Sequence, residues 1–145
     1  MHKIYLAHPF ESHELMRNWE QRIVQNLRDV KFINPFYDNY KKEFENWSIG
    51  DRSNDDTYRK LNPEGIVTRD VELIKSVDQI IAIVNGQISY GTIQEMVYAK
   101  ILNRPVNAVI SNGHHNHPWL QFHSDRVFTD LSKLEEYLYA LHNTQ

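Results

Sequence analysis

The sequence predicts an α/β fold, in which a parallel sheet is flanked by helices on both faces within a single domain spanning residues 1–145. Short apolar runs alternate along the chain with segments of helical periodicity, which is the pattern of strand–helix–strand units. The run "QIIAIV" is apolar throughout, as expected of a central parallel strand that is covered on both faces. The length of 145 residues suits one hydrophobic core.

The first part of the chain reads as strand, helix and strand. The run "KIYLA" at Lys3–Ala7 is predicted to be a buried strand that ends at His8-Pro9. The helix after it places four apolar side chains on one face: Met16, Trp19, Ile23 and Leu27. The run "VKFINP" is predicted to be a second short strand, because Asn34-Pro35 stops it.

The second part repeats the alternation. Asn62 is a predicted cap, and Pro63 the first residue, of the helix "PEGIVTRDVELIKSV". The strand "QIIAIV" follows, then a helix after Thr92, the strand "PVNAVI", the short segment "RVF" and a closing helix near "DLSKLEEYLYAL". Residues 36–61 are polar yet rich in aromatic side chains, and so long a connection is predicted to form a lid or a pocket loop.

The composition excludes several classes of protein. The net charge is -3, so a basic surface for a nucleic-acid polymer is not expected. Cysteine is absent, which removes disulfides, thiolate nucleophiles and cysteine-bound zinc. The apolar run in "MHKIYLAHPF" is too short for a signal peptide or a membrane span, so we expect a cytoplasmic protein without membrane contact.

Three turns at strand ends are the predicted location of a ligand, because open parallel sheets bind ligands beyond the carboxyl ends of their strands. They are "HPF", "NGQISYGT" and the histidine loop "SNGHHNHPW". The dinucleotide pattern G-x-G-x-x-G, the Walker phosphate loop and the hydrolase elbow G-x-S-x-G are all missing.

Glu95 lies one turn inside the helix that follows Thr92, and two interpretations are open. Thr92 and Glu95 have the spacing of a capping box, in which both side chains satisfy backbone donors at a helix start. The helical period points Glu95 inward, because only Gln94, Lys100 and Asn103 mark an exposed side. An inward carboxylate is costly unless donors hold it or chemistry uses it, and at a pocket edge it is a competent nucleophile.

Asp70 is a second acid at a position that the helical period assigns to an apolar residue, within "GIVTRDVELIKSV". In the purely structural interpretation, it pairs with a local arginine or caps a neighbouring turn. In the functional interpretation, Asp70 and Glu95 form a divided pair, in which one carboxylate attacks and the other handles a proton.

Three segments in this order carry a family resemblance: "KIYLAHPF", "TRDVELIKSVDQIIAIV" and "SYGTIQEMVYAKILNRPV". Together they resemble the nucleoside 2-deoxyribosyltransferase family, whose superfamily includes the nucleoside 5'-monophosphate N-glycosidases. The resemblance covers the chain from the first strand through "PVNAVI". It implies a flavodoxin-like, or Rossmann-like, α/β domain that uses no cofactor and forms a covalent glycosyl-enzyme intermediate.

The resemblance also implies roles for individual residues. The segment from Gly91 to Ala99 matches the family context G-x-x-x-E-x-x-x-A, so Glu95 is implied to attack the anomeric carbon, with Gly91 next to the substrate. Asp70 is implied to assist protonation of the departing base. Tyr5, in the first strand, is implied to orient the nucleophile.

Ser89 marks a departure from the classical transferases, which carry an aspartate six residues before the nucleophile. Family members that hydrolyse nucleoside 5'-monophosphates have a serine there, and it contacts the phosphate. A carboxylate would repel that dianion, so Ser89 favours a nucleotide substrate over a nucleoside. The alternative is an ordinary turn serine.

Four further residues are candidates for substrate binding: His8 and Phe10 after the first strand, Arg17 in the first helix, and Trp47 within residues 36–61. Phe10 and Trp47 are expected to stack on a base. On pattern alone, Arg17 is an outward-facing surface residue and Trp47 an anchor for its own loop.

The histidine loop has three interpretations. By the resemblance, His117 falls at a contact made by a neighbouring subunit and Trp119 at an apolar contact with the substrate, which implies a homodimer or a higher symmetric oligomer with shared active sites. His114, His115 and His117 could instead bind a transition metal, but no acid or cysteine lies nearby in the sequence, and we predict no metal site. A solvated loop without a role is the third interpretation.

The sequence therefore predicts an enzyme that cleaves the N-glycosidic bond of 2'-deoxynucleosides or their 5'-monophosphates and passes the sugar to a nucleobase or to water. Its partner is a small-molecule nucleoside or nucleotide. Three other interpretations stay open: a non-catalytic nucleotide-binding module on the same fold, a metal-dependent hydrolase built on the histidine loop, and a protein-interaction domain that uses the aromatic segment.

Overall fold

The computed structural model describes residues 1–37, 61–86 and 89–142. Within them, the strands are β1 His2–Ala7, β2 Val30–Ile33, β3 Gln79–Val84, β4 Val106–Ile110 and β5 Arg126–Phe128. They form one five-stranded sheet in the order β2–β1–β3–β4–β5. All four neighbouring pairs are parallel. This strand order is the flavodoxin-like one, so the predicted fold class is confirmed.

Among the described residues, four helices lie between successive strands and a fifth follows β5. They are α1 His13–Val24, α2 Pro63–Ser76, α3 Tyr90–Ile101, α4 Pro118–Phe122 and α5 Leu131–His142, with a short 3₁₀ turn at Phe10–Ser12. Helix α2 begins as predicted, because the Asn62 side chain accepts a hydrogen bond from the Gly65 amide at 3.3 Å and Pro63 fills the first helical position.

The core consists of two apolar clusters, one on each face of the sheet. On one face, α1 and α5 pack through residues that include Met16, Trp19, Ile23, Leu134 and Leu138. On the other face, α2 and α3 pack through residues that include Ile74, Met96 and Ala99. Every residue of β3 is buried, as its unbroken apolar sequence predicts for a central strand.

The start of α3 differs from the capping box considered for Thr92 and Glu95. Ser89 is the N-cap, and its hydroxyl oxygen accepts from the Thr92 amide at 3.4 Å. Thr92 lies inside the first turn, with 1% of its surface exposed. The capping-box interpretation is therefore wrong, because the helix begins two residues earlier than Thr92.

The exposed side of α3 is also wider than predicted. Ile101 is 67% exposed and Tyr98 is 37% exposed, whereas Met96 and Ala99 are buried. The helix contacts the sheet along a narrow line of residues, so apolar side chains beside that line reach the surface. Apolar character alone does not distinguish the buried side chains of α3 from the exposed ones.

Only the ends of the predicted lid can be placed. Of residues 36–61, the structure describes Phe36, Tyr37 and Leu61, and the remainder, including Trp47, lies outside the described residues. The lid stays a prediction. Among the helices that are described, none combines the length and apolarity needed to cross a membrane.

Candidate active site

A cavity of about 960 Å³ opens beyond the carboxyl ends of β1 and β3. The connections from these adjacent strands leave in opposite directions, to α1 on one face and α3 on the other, so the cavity lies at the topological switch point of the sheet. Its walls come from the turns after β1, β2 and β3 and from the first two turns of α2 and α3. The predicted location of the ligand is thus where the structure has a cavity.

Glu95 meets Tyr5 at the wall of this cavity. Glu95 is partly buried in the second turn of α3 and lines the cavity wall. Tyr5 is completely buried in β1, and its hydroxyl donates a hydrogen bond to Glu95 Oε2. The hydrogen bond thus joins the strand to the carboxylate of the helix, and the orienting role that the family resemblance implies for Tyr5 stays a prediction.

Burial changes the proton affinity of both groups. The pKa of Glu95 is raised well above its ordinary value of 4.5, chiefly by burial and then by the negative charge of Asp70. The hydrogen bond from Tyr5 and the positive charge of Arg69 act in the opposite direction. Burial, followed by the charge of Glu95, raises the pKa of Tyr5 far above 10.0, so its hydroxyl stays protonated and remains a donor.

Asp70 lines the same cavity from α2, and its immediate neighbour Arg69 pairs with it. Arg69 donates to Asp70 Oδ1 through Nε at 2.9 Å, and Nη2 lies 2.9 Å from the same oxygen. The side chains are only 13% and 19% exposed, respectively. The structural interpretation of Asp70, pairing with a local arginine, is thus observed, and it coexists with a position in the cavity wall.

Ser89 and Gly91 form the part of the wall where α3 begins. The Ser89 hydroxyl oxygen accepts from Thr92 twice, from the backbone amide and from Oγ1 at 3.1 Å. A side chain built on Gly91 would meet no described atom within 4 Å, so packing does not demand glycine at this position. Open space faces Gly91 on the cavity side.

His8 joins two of the loops that frame the cavity. Its Nδ1 lies 3.0 Å from the Pro9 carbonyl oxygen, and its Nε2 lies 3.1 Å from Asn34 Oδ1. Asn34 in turn donates to Glu20 Oε1 at 2.9 Å. Burial lowers the pKa of His8, against a smaller opposite effect of these hydrogen bonds.

The aromatic wall of the cavity is formed by Phe10 and Phe36, whose ring centroids lie 5.6 Å apart. His8 stands against Phe36 at 5.2 Å, and His13 is stacked on Phe10 at 4.5 Å. Phe10 is therefore where it was expected, and a flat apolar ligand would meet ring surface here.

Sequence reasoning missed several residues of the site. Arg69 was overlooked although it adjoins Asp70, and Ser12 and Asn85 were overlooked although both follow strand ends. The Ser12 hydroxyl lies 3.1 Å from Asn85 Nδ2, and this pair connects the turn after β1 with the turn after β3. Proximity to a strand end was the available signal, but it applies equally to many polar residues.

Three of the predicted binding residues lie elsewhere on this chain. Arg17 donates to Glu20 Oε1 at 3.1 Å and places its guanidinium 4.7 Å from the Tyr37 ring centroid. His117 caps α4 by accepting from the Trp119 amide, and Trp119 is 70% exposed. In the part of the chain that the structure describes, neither Arg17 nor this α4 pair borders the cavity. Their roles stay predictions, as does that of Trp47.

The described residues contain no group of three or more histidine, cysteine, aspartate or glutamate side chains arranged to hold a metal ion. In the histidine loop, His114 donates its backbone amide to Asn112 Oδ1 at 3.1 Å, and the His115 carbonyl accepts from the Gln121 side chain. The loop is thus folded by contacts within itself and with α4.

The chain matches no family model and no curated protein. Its structure is similar to that of a 2-deoxyribosyltransferase from Bacillus psychrosaccharolyticus, with a TM-score of 0.65 and 22% identity over 96% of this chain and 94% of that one. It is also similar to the CMP N-glycosidase BcmB of Clostridium botulinum, with a TM-score of 0.60 and 14% identity over 96% of this chain and 98% of that one. At these identities, the comparisons establish a shared fold over nearly the whole length of each chain.

Proposed function

We propose that the chain is an enzyme of the nucleoside 2-deoxyribosyltransferase type, which cleaves the N-glycosidic bond of a 2'-deoxynucleoside or its 5'-monophosphate. The observation that carries the proposal is the convergence of Glu95 and Asp70, from two helices, on one cavity at the switch point of the sheet, with Tyr5 of β1 bonded to Glu95. The two similar structures support it, because one is a deoxyribosyltransferase and the other an N-glycosidase.

In the first step, the Glu95 carboxylate attacks the anomeric carbon of the sugar. The new bond joins a Glu95 oxygen to that carbon, while the bond to the base breaks and its electron pair stays on the base nitrogen. Tyr5 donates to Oε2 and so holds the carboxylate in one orientation during the attack. The base nitrogen takes up a proton, which we assign to Asp70.

These roles require the two acids to share one proton. Burial and the charge of Asp70 raise the pKa of Glu95, which favours retention of a proton by the pair at pH values where an exposed carboxyl is ionised. Attack takes place when the negative charge lies on Glu95 and the proton on Asp70. The doubly protonated pair lacks a nucleophile, and the fully ionised pair lacks an acid.

In the second step, an acceptor attacks the anomeric carbon and releases the Glu95 carboxylate. If the acceptor is water, the reaction is a hydrolysis; if it is a second nucleobase, the reaction is a transfer. Asp70, now ionised, takes the proton that the acceptor loses, which restores the starting state. No step calls for a cofactor.

Ser89 supports a 5'-monophosphate as the substrate. A serine hydroxyl has one proton to donate and two lone pairs, and Thr92 donates to Ser89 Oγ from both its amide and its hydroxyl. The Ser89 proton is thereby directed away from Thr92, and Ser89 lines the cavity. A phosphate oxygen placed there would accept this proton next to the positive end of α3.

The proposal includes a symmetric oligomer, in which α4 of one subunit completes the site of another. Trp119 and Phe122 of α4 are 70% and 65% exposed on the single chain, and Ile101 of α3 is 67% exposed. Exposed aromatic side chains of this size are characteristic of interfaces. His117 and Trp119 would enter the neighbouring cavity from such an interface.

A substrate panel tests the proposal. Purified protein is incubated with ribo- and deoxynucleosides and their 5'-monophosphates, with and without a second free base, and released base is measured by chromatography. We expect base release in the wild type and in Glu72→Ala, a matched control whose carboxylate is exposed on α2 and pairs with Lys75. Glu95→Ala should release none.

Two of the other interpretations, and the role given to Ser89, each have their own outcome in the panel. Binding of a monophosphate without base release, in wild type as in Glu95→Ala, would identify a binding module and refute catalysis. Loss of base release in a strong chelator would identify a metal-dependent hydrolase. Preference for nucleosides over monophosphates would contradict the role given to Ser89.

A further inference from the structure

Among the described residues that line the candidate site, Arg69 is the one arginine or lysine, and neither the sequence patterns nor the family resemblance gave it a functional role. Its guanidinium lines the cavity, with 13% of the side chain exposed. A charged side chain so deeply placed needs a partner. One such partner is Asp70, the next residue in the chain.

The pairing has an unusual geometry for a helix. Ion pairs on helices form between residues three or four apart, whereas consecutive residues point about 100° away from each other. Arg69 nevertheless directs both Nε and Nη2 to the single oxygen Oδ1 of Asp70, each at 2.9 Å. This fork fixes the Asp70 carboxylate within the cavity, while Oδ2 lies outside the fork.

The cluster around Arg69 is rich in negative charge. Tyr5 comes from β1, Glu95 from α3, and Asp70 with Arg69 from α2. Other titratable groups that line the same cavity are His8 and Glu11 from the turn after β1 and Tyr90 at the start of α3. In a partly buried site, two ionised acids repel each other strongly, and one cation halves their net charge.

We propose that Arg69 is a positioning residue that stabilises the singly ionised state of the Asp70–Glu95 pair, in which it holds the negative charge on Asp70 until the remaining proton passes from Glu95 to Asp70 and leaves the Glu95 carboxylate free to attack. The inference rests on the proposed function for its catalytic meaning. The charge of Arg69 opposes the effects of burial and of Asp70 on the pKa of Glu95, in agreement with this role.

The test compares Arg69→Met, Arg69→Lys and Arg22→Met. Arg22 is the matched control, because it also makes a two-pronged pair, at 2.7 and 2.9 Å to Glu135, but lies on the opposite face of the sheet, between α1 and α5. The measurement is kcat/KM for base release across the pH range. In Arg69→Met, the acid limb of the profile should move to higher pH. The loss of kcat/KM relative to wild type should therefore be at least about tenfold larger at a pH below the limb than at a pH above it.

The conservative variant separates charge from geometry. Arg69→Lys keeps the positive charge but cannot form the fork, so it should retain most of the acid limb and lose kcat at every pH. Arg22→Met should leave the profile unchanged. A uniform loss at all pH values in Arg69→Met, with the limb in its wild-type place, would overturn the proposal.

A second measurement does not depend on turnover. The titration of the Glu95 carboxyl is followed by carbon NMR in protein labelled at glutamate, assigned with Glu95→Gln, without substrate. Its midpoint should rise in Arg69→Met and stay in place in Arg22→Met. If wild-type protein released no base but this rise occurred, the proposed function would fail while the role of Arg69 stood; an unmoved midpoint would overturn that role.

One further outcome would reassign the residue. If Arg69→Met raised KM for monophosphates alone, at all pH values, and left kcat and the NMR midpoint unchanged, Arg69 would be a phosphate ligand. That result would refute the positioning role.

Discussion

Replacement of Glu95 by glutamine should stabilise the protein while it abolishes base release. Ionised Glu95 destabilises the folded state, because burial and the neighbouring charge of Asp70 raise its pKa well above 4.5. Glutamine has nearly the same shape, carries no charge, and still offers an oxygen to the Tyr5 hydroxyl. The variant therefore removes the cost of ionisation and keeps the hydrogen bond.

The size of the effect follows from the coupling between proton binding and folding. When folding raises the pKa of a carboxyl by one unit, the free energy of unfolding falls by about 1.4 kcal/mol. This holds at any pH above both the folded-state and the unfolded-state pKa. We expect a gain of about 1–2 kcal/mol for Glu95→Gln near neutral pH. For a chain of 145 residues, the unfolding entropy converts this gain into a rise in Tm of about 3–7 °C.

The sign of the pH dependence can be stated in advance. Because the folded-state pKa of Glu95 is raised, its protonated form carries no penalty, and wild type and variant should be equally stable below about pH 4.5. As pH rises through the folded-state pKa, the wild type loses stability relative to the variant. The difference then becomes constant. Thermal unfolding followed by circular dichroism at a series of pH values measures it.

Glu20→Gln is the matched control for this experiment. Glu20 is also buried, but its carboxylate accepts from Asn34 Nδ2 at 2.9 Å and from Arg17 Nη1 at 3.1 Å. Loss of its charge should lower stability, by about 1 kcal/mol. If Glu95→Gln were destabilising to a similar extent, or if its gain persisted below pH 4.5, the electrostatic account of the site would be refuted.

Three further variants separate the parts of the site. Tyr5→Phe removes the donor to Glu95, so kcat should fall about tenfold and the acid limb should move to higher pH; a profile of unchanged shape would contradict the orienting role. Ser89→Asp should reduce kcat/KM for monophosphates by at least about tenfold and leave kcat/KM for nucleosides unchanged. Equal losses for both substrates would show that Ser89 acts only as the cap of α3. Asn62→Ala removes the cap on the Gly65 amide and should cost about 1 kcal/mol in urea unfolding with kcat unchanged, and a loss of turnover would show that the start of α2 matters for the chemistry.

The sequence predicted the architecture well because each strand and helix carries its own periodic signal. The apolar run at Gln79–Val84 was enough to place a central strand, and the cap at Asn62 was enough to start α2. The strand order defines the edge where the carboxyl ends of the strands lie, and Tyr5 and Glu95 meet near that edge.

Side-chain directions within a helix were harder to predict. The position of Arg69 gave no sign that its guanidinium folds back onto the next residue, because helical geometry alone points neighbours apart. In α3, Ile101 was counted as buried from its apolar character, yet it is exposed, since no described element covers that part of the helix. Such outcomes depend on which elements pack together, and the local sequence does not contain that information.

The depth of Tyr5 has a consequence for how such an enzyme could diversify. Tyr5 pairs in register with Ile33 on one side and Ile80 on the other, so under the proposed function the orientation of the nucleophile would be set from inside the sheet. The base, by contrast, would contact Phe10 and Phe36, which belong to turns outside the sheet. Loop mutations can thus retune which base is accepted while bond cleavage continues undisturbed, and new specificities become reachable without rebuilding the reactive centre.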